Sequence, residues 1–322
     1  MKKNIITKLV AYTTALAILG SGCVLKICRD KSKAYNQKVI NYVEGFVDDD
    51  FMIAAHRGFS SLAVENTIQS LQLANDAAFV DYIELDARLT DDGKIVCSHD
   101  SFVRNINFQK WYLERNKCRD STDNSFFYTA IDYKDVLSSY FNSEEGFLVR
   151  QRQLSLLGEN FSLSTLTEAL TCCENKTVII DLKVNDNYDD FSKALYAAIK
   201  DISTSRIILQ SSNLDYLHEL QNIYPQFYYS AIIDSYDDFD ICDSFQMIGI
   251  KQDFVSKKRV ESSLSRGQSV SVWTINSIND LSDVADTLGE YYDDVVYITD
   301  YPDLISYKLN NIKLEKKKVT TQ

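Results

Sequence analysis

Two of the three histidines in this chain, His56 and His99, close apolar runs (FMIAAH and KIVCSH) at points where a strand would stop. Glu84 and Asp86 are spaced by two within DYIELDA, and Asp181 and Lys183 repeat that spacing within VIIDLKV. Spacing by two places both members of a pair on one face of a strand. An ionisable group on the inward face of an apolar strand costs several kcal/mol unless it is paired or metal-bound. Carboxylates from Glu84, Asp86 and Asp181 converging at one end of a fold would form an oxygen-rich site suited to Ca²⁺ or Mg²⁺. Two histidines beside it could act as general base and general acid. Arg57 and Lys183 could hold an anionic group. Metal, acid, base and cations together describe phosphodiester chemistry better than any other reaction class.

The elements that must position these residues follow from the hydrophobic pattern. Short β-branched runs (FMIAAH, DYIELDA, TVIIDLKV, RIILQS, FYYSAII, FQMIGIK, SVSVWTI and VVYITD) alternate with helical stretches such as ENTIQSLQLANDAA, DDFSKALYAAIKD, LDYLHELQNIY and INDLSDVADTLG. Eight strand-then-helix units are what a (β/α)₈ TIM barrel requires, so the expected class is α/β. One stretch breaks the rhythm. DYIELDARL and KIVCSHD are joined by only TDDG, too short for a parallel crossover, so they should form an antiparallel hairpin with KIVCSH as an extra strand. A turn centred on Asp91 and Asp92 would set Glu84 opposite His99. Residues 101–160 lack a βα rhythm and read as an insertion over the barrel mouth.

The N-terminus is a separate matter. MKKNIITK precedes the uncharged run LVAYTTALAILGSGCVL, closed by Lys26 and Arg29, which reads as a signal-anchor or single membrane helix near the short limit for spanning. The expected organisation is a membrane segment at 1–29, a connector at 30–50, the barrel at 51–310 and a basic tail at 311–322. The barrel would be attached to a membrane through that single segment, on the extracellular face, with secretion after signal cleavage as the alternative.

Charge narrows the partners. The 34 Lys and Arg residues against 46 Asp and Glu leave a net charge of −12, which argues against nucleic acid, whose phosphate backbone demands a basic surface. The exceptions are the ends: the first 38 residues carry eight Lys or Arg against one Asp, and the chain closes with KLNNIKLEKKK. Seven cysteines form no CxxC or Cys/His pattern, so zinc and thiol-redox readings have no support. Cys172 and Cys173, adjacent on an expected helix, read as small buried hydrophobes. His218, in LDYLHELQ, reads as a packing residue. No Gly-rich phosphate loop and no G-x-S-x-G elbow occurs, so nucleotide-dependent and serine-hydrolase chemistry lapse.

The combination of HRG at His56, ENT at Glu65, ELDARLTDDGKIVCSHD from Glu84, STLTEAL at Ser164, DLK at Asp181, VWTIN at Trp273 and TDYP at Thr299 resembles the glycerophosphodiester phosphodiesterase family of TIM barrels. The resemblance implies His56 and His99 as the catalytic pair, and Glu84, Asp86 and Asp181 as ligands of a divalent metal, Ca²⁺ or Mg²⁺. It implies Arg57 and Lys183 on the phosphate, Glu65 near the metal or holding Arg57, and Trp273 lining the pocket. The implied reaction converts a glycerophosphodiester to glycerol phosphate and an alcohol. The chain departs from the family pattern in Asp181, where Glu is usual, and in Val64 and Ser164, where Pro is usual. Two rival expectations remain: a phospholipase D- or C-like activity on lysophospholipids or glycerophosphate polymers, and a non-catalytic barrel used for binding. The plain alternatives for the residues are a core histidine for His56, a structural ion pair for Asp181 and Lys183, and a barrel-filling role for Trp273.

Overall fold

The computed structural model describes residues 51–63, 65–99, 102–104, 125–127, 164–184, 187–235 and 242–320. The expected membrane segment at 1–29, the connector at 30–50 and most of the insertion at 101–160 lie outside the described residues. Among the described residues no helix is long and apolar enough to cross a membrane.

The strands are β1 (Met52–Ala55), β2 (Tyr82–Leu89), β3 (Ile95–Cys97), β4 (Phe102–Arg104), β5 (Ser125–Phe127), β6 (Thr177–Leu182), β7 (Ile207–Ser211), β8 (Tyr228–Ile233), β9 (Met247–Lys251), β10 (Ser269–Trp273) and β11 (Val296–Thr299). The helices are α1 (Ile68–Asp76), α2 (Leu166–Cys172), α3 (Tyr188–Ile199), α4 (Leu214–Ile223), α5 (Lys257–Ser265), α6 (Ile278–Leu288) and α7 (Pro302–Thr320). Eight strands follow one another in the order β1-β11-β10-β9-β8-β7-β6-β2, and β1 also pairs with β2. Every one of these pairings is parallel. The sheet therefore closes into the (β/α)₈ barrel that the alternating pattern predicts. Short β4 and β5 pair antiparallel outside it.

Two apolar layers hold the barrel. Residues pointing outward, among them Ile53, Ala55, Ile83, Ile180 and Leu209, pack under the helices in one large buried cluster. Their neighbours in sequence point inward, where Ala54, Ile179, Met247, Val296 and Ile298 form a second, smaller cluster. Period-two alternation thus fills both faces of each wall.

The hairpin corrects one expectation. β2 pairs antiparallel with β3 through Ala87↔Cys97, Arg88↔Val96 and Leu89↔Ile95, so His99 falls opposite Leu85 rather than Glu84. The loop has three residues, closed by Thr90 N–H donating to the Lys94 carbonyl at 2.8 Å, with Gly93 at φ 77°. A glycine in the left-handed region suits the last position of a three-residue hairpin loop, and that slips the register by one.

Helix α7 begins just after β11 and runs as one helix to Thr320, so it crosses the boundary at 310 suggested by charge alone. Cys173 is buried and Cys172 half-buried, and His218 stacks at 4.5 Å against the Phe245 ring.

Candidate active site

The two histidines, the Glu84, Asp86 and Asp181 carboxylates, Arg57 and Lys183 open onto one cavity of about 210 Å³ at the strand C-terminal end. It is lined by His56, Arg57, Glu84, Asp86, His99, Asp181 and Lys183 on one side, and by Gln210, Ser212, Ile232, Asp234, Trp273, Thr274 and Ile298 on the other. Glu65 does not line it; it stands behind Arg57.

The turn after β1 explains the His-Arg-Gly run. Arg57 has φ 56° and Gly58 φ 80°, so the chain reverses within two residues of the strand end. A Cβ at Gly58 would lie 2.6 Å from the Ser70 carbonyl carbon, so only glycine lets the turn press against α1. The strained Arg57 backbone is held on both sides. Its N–H donates to Glu84 Oε2 at 2.9 Å, and its carbonyl accepts from Asn66 N–H at 2.9 Å and Ser70 Oγ at 3.0 Å. Over-determined backbone of this kind is how a site sustains an unfavourable φ.

Glu65-Asn66-Thr67 performs three distinct tasks. Glu65 accepts two hydrogen bonds from Arg57 Nη1, at 3.1 and 3.2 Å. Asn66, at φ 59°, donates Nδ2–H to Asp86 Oδ2 at 2.8 Å while its Oδ1 accepts from the Asp86 N–H at 3.1 Å. Thr67 caps α1 reciprocally with Ser70, and the capped end anchors the run.

β2 and β6 carry the acidic cluster. Asp86 lies in register with Asp181, and Glu84 with Ile179. The Glu84, Asp86 and Asp181 carboxylates each offer an oxygen within 4.8 Å of the others, and all three are buried. Lys183 Nζ donates to Asp181 Oδ2 at 2.5 Å and lies 3.4 Å from Asp86 Oδ1. Arg57 Nε is 3.3 Å from Asp86 Oδ2 but is buried without a hydrogen bond of good geometry. Burial, followed by repulsion from Asp86, pushes the Glu84 carboxyl up to about 7 despite opposition from His56. Burial also raises Asp181, against the pull of Lys183. Asp86 goes the other way: burial opposes ionisation, but Lys183, Arg57, His99 and the Asn66 hydrogen bond together hold the carboxyl low.

The donor set fits a hard divalent cation. Lys183 reaches Asp181 and Asp86 and Arg57 lies beside Asp86, so the three buried carboxylates outnumber the two cations beside them. Glu84, Asp86 and Asp181 would hold such an ion.

His56 faces a carboxylate on each side of its ring. Its Nδ1 lies 2.6 Å from Asp300 Oδ1, and its Nε2 lies 3.8 Å from Glu84 Oε2. Asp300 is itself held by Ser60 Oγ at 3.1 Å and Asn276 Nδ2 at 2.7 Å. Burial lowers the imidazole pKa, but Glu84 and then Asp300 more than reverse this, so the net shift is upward. His99 follows β3 and is half-buried; its carbonyl accepts from Arg88 Nε at 2.9 Å and Nη2 at 2.6 Å, which pins the hairpin end to the mouth. Trp273 lines the opposite wall with its Nε1–H donating to the Gly249 carbonyl at 3.0 Å. Beside it Gln210, buried in the wall, accepts from Ser230 Oγ at 3.1 Å.

Sequence reasoning left Asp300, Asn66, Asn276 and Gln210 without roles. Asp300 had a signal: it follows β11 as His56 follows β1, and β1 and β11 are neighbours with Ala55 in register with Thr299.

Fold and cavity together define a (β/α)₈ barrel with an acidic, histidine-flanked site at its mouth. The model of the glycerophosphoryl diester phosphodiesterase family matches residues 56–304, and the chain belongs to that family. It is 26% identical over 187 residues to a glycerophosphodiester phosphodiesterase of Bacillus subtilis, a match covering 55% of this chain and 57% of that relative. It is 37% identical over 91 residues to one of Haemophilus influenzae, covering 28% of this chain and 22% of that relative. The chain thus matches little more than half the length of the first of these curated relatives and under a quarter of the second. Solved structures share the fold. An Oleispira antarctica phosphodiesterase, solved with the product sn-glycerol-3-phosphate, superposes with TM-score 0.62 at 19% identity, covering 83% of this chain and 99% of that one. A Thermotoga maritima glycerophosphodiester phosphodiesterase gives 0.56 at 20% identity, covering 82% and 98%.

Proposed function

We propose that the protein hydrolyses glycerophosphodiesters to glycerol phosphate and an alcohol, in a reaction dependent on a divalent metal. The observation that carries this reading is the convergence in one cavity of two histidines, three buried carboxylates and two cations. Family membership and the names of the curated relatives support it.

In this reading Arg57 and Lys183 bind the phosphate oxygens, and the half-buried cavity excludes bulk water from the reacting phosphorus. One histidine takes the proton from the glycerol hydroxyl adjacent to the phosphate. The freed oxygen attacks phosphorus, the bond to the alcohol oxygen breaks, and the second histidine protonates that alcohol. Water then opens the cyclic phosphate with the two histidines in reversed roles, which restores both to their starting protonation states. A divalent ion on Glu84, Asp86 and Asp181, Ca²⁺ or Mg²⁺, would supply Lewis-acid polarisation of a phosphate oxygen. Asp300 orients His56 through Nδ1, and Glu65 orients Arg57. Trp273 and Gln210 line the side that receives the rest of the substrate.

We further propose that the run at residues 9–25 attaches the barrel to a membrane, on the strength of its uncharged, apolar sequence between basic flanks. The reading as an enzyme is tested by measuring glycerol phosphate release from glycerophosphocholine with Ca²⁺, with Mg²⁺ and with chelator, beside His56→Ala. Metal-dependent release abolished by the substitution is the expected result. A wild-type chain silent with both ions on this substrate and on lysophospholipid vesicles would favour a binding barrel instead.

A further inference from the structure

The two walls of the cavity use their polar groups differently. On the wall that carries the acidic cluster, His56, Arg57, Lys183 and the carboxylates are engaged with one another or with their neighbours. On the opposite wall three polar groups face the cavity uncommitted. Among the described residues the Asp234 carboxylate and the Ser212 hydroxyl have no hydrogen-bond or ion-pair partner, and Gln210 Nε2 donates to none. Gln210 and Ser212 are neutral. Asp234 is the one charged residue lining that wall, and it is exposed at the rim.

The strand register sets an aromatic ring level with this carboxylate. Asp234 follows Ile233, which pairs with Ile250 of β9, and Trp273 ends β10 in register with Lys251. Asp234, Lys251 and Trp273 therefore stand at one level across three neighbouring strands. Asp234 and Ile232 are spaced by two and both line the cavity, so Asp234 keeps the inward phase of β8. Its backbone and that of Trp273 lie two strands apart, about 10 Å at the usual strand spacing. Inward side chains at that separation can flank one small group. Lys251, between them, does not intervene. It does not line the cavity; its Nζ pairs with Asp253 at 2.9 Å and lies 5.9 Å from the centre of the Phe254 ring. Trp273 is held in place by the bond from its Nε1–H to the Gly249 carbonyl.

We infer, on the basis of the function proposed above, that Asp234 and Trp273 form the subsite for the leaving alcohol and select alcohols that carry an ammonium group. With the phosphate on Arg57 and Lys183, the glycerol hydroxyl lies against one histidine and the alcohol leaves on the opposite side of phosphorus. The far end of that alcohol is then free to extend across the mouth to the other wall. Cations on one wall, and a carboxylate with an indole on the other, match a zwitterionic diester with phosphate at one end and ammonium at the other. The carboxylate attracts the ammonium by charge, and the indole attracts it through its π-system. A neutral alcohol gains neither contribution. Exposure at the rim keeps both modest. A carboxylate that is merely solvated would affect all diesters alike.

The test compares kcat/KM of the full chain, with Ca²⁺ or Mg²⁺, for glycerophosphocholine, glycerophosphoethanolamine and the neutral glycerophosphoglycerol. Wild type should favour the two cationic diesters by on the order of tenfold, and the preference should narrow at high salt. Asp234→Asn should shrink the preference by roughly threefold, and Asp234→Lys should reverse it, with the melting temperatures of both variants as a check on folding. Equal kcat/KM for cationic and neutral alcohols in the wild type, or a preference that survives Asp234→Lys, overturns the inference. Should no diester turn over, the proposed function fails, and calorimetric binding of the same three diesters with either ion decides the subsite by itself. Tighter binding of the cationic pair, lost in Asp234→Lys, upholds the subsite; equal or absent binding overturns it.

Discussion

The same strands build two unlike ends. Two residues before Asp181, Ile179 sits in the inner apolar cluster; Ala54 precedes His56 and Ile298 precedes Asp300 by the same interval. Below, buried side chains need nothing but shape. Above, Glu84, Asp86 and Asp181 are buried as ionisable groups crowded together, an arrangement that costs stability unless a cation compensates it. The apolar end stabilises a scaffold on which the strained end can exist.

The sharpest way to break this division is at His56. His56→Ala should lower kcat/KM by about 10²–10⁴-fold, the range for losing a positioned acid or base, while the melting temperature stays near wild type. A comparable loss of folding would mean that His56 is a core histidine.

The next contrast lies within β6. Ile179→Ala should destabilise by ~2–5 kcal/mol through the cavity it leaves and retain most of the activity of the folded fraction. Asp181→Asn should do the reverse. It removes one of three crowded carboxylates, so in chelator the protein should melt no lower than wild type, while stabilisation by added divalent ion shrinks. Denaturant titrations with and without metal read both.

Asp300→Asn is a milder probe. Asp300 raises the His56 pKa through its hydrogen bond and charge, so its removal should lower that pKa and move the His56 limb of the pH–rate profile to lower pH. An unchanged profile would leave Asp300 a purely structural neighbour.

The smallest effect expected is the pH dependence of stability without metal. Glu84 is raised from 4.5 to about 7, and His56 is also raised. In both cases the folded state binds its proton more tightly than the unfolded state: the Glu84 contribution is full below pH ~4.5 and is lost as pH rises through about 7, and that of His56 is full below its ordinary value of 6.5 and is lost above it. Melting in chelator should therefore fall across that window. A divalent ion, which favours ionised carboxylates, should flatten or reverse the fall. Asp86 and Asp300 are held low, so their stabilisation is lost only in stronger acid.

The barrel was legible because each of its eight strands is a β-branched run, and the cavity because ionisable residues interrupt those runs where β-propensity alone would place Val or Ile. What stayed hidden was decided by backbone geometry and by contacts distant in sequence. A left-handed Gly93 set the hairpin register one residue away from the simple turn count. Asn66 grips Asp86 from 20 residues away, and Asp300 meets His56 across 244; neither spacing leaves a periodic trace. Helix α5, KKRVESSLS, buries only Val260 and Ser263, too narrow an apolar stripe to stand out.

The most direct test of the central claim is phosphorus NMR of glycerophosphocholine incubated with the full chain and Ca²⁺ or Mg²⁺. Conversion to glycerol phosphate is expected, with a cyclic glycerol phosphate appearing first, and no change in chelator. Phosphocholine as the product would mean that the other ester bond is cut, and turnover undiminished by chelator would mean that the buried carboxylates serve some other purpose; either result would contradict the account.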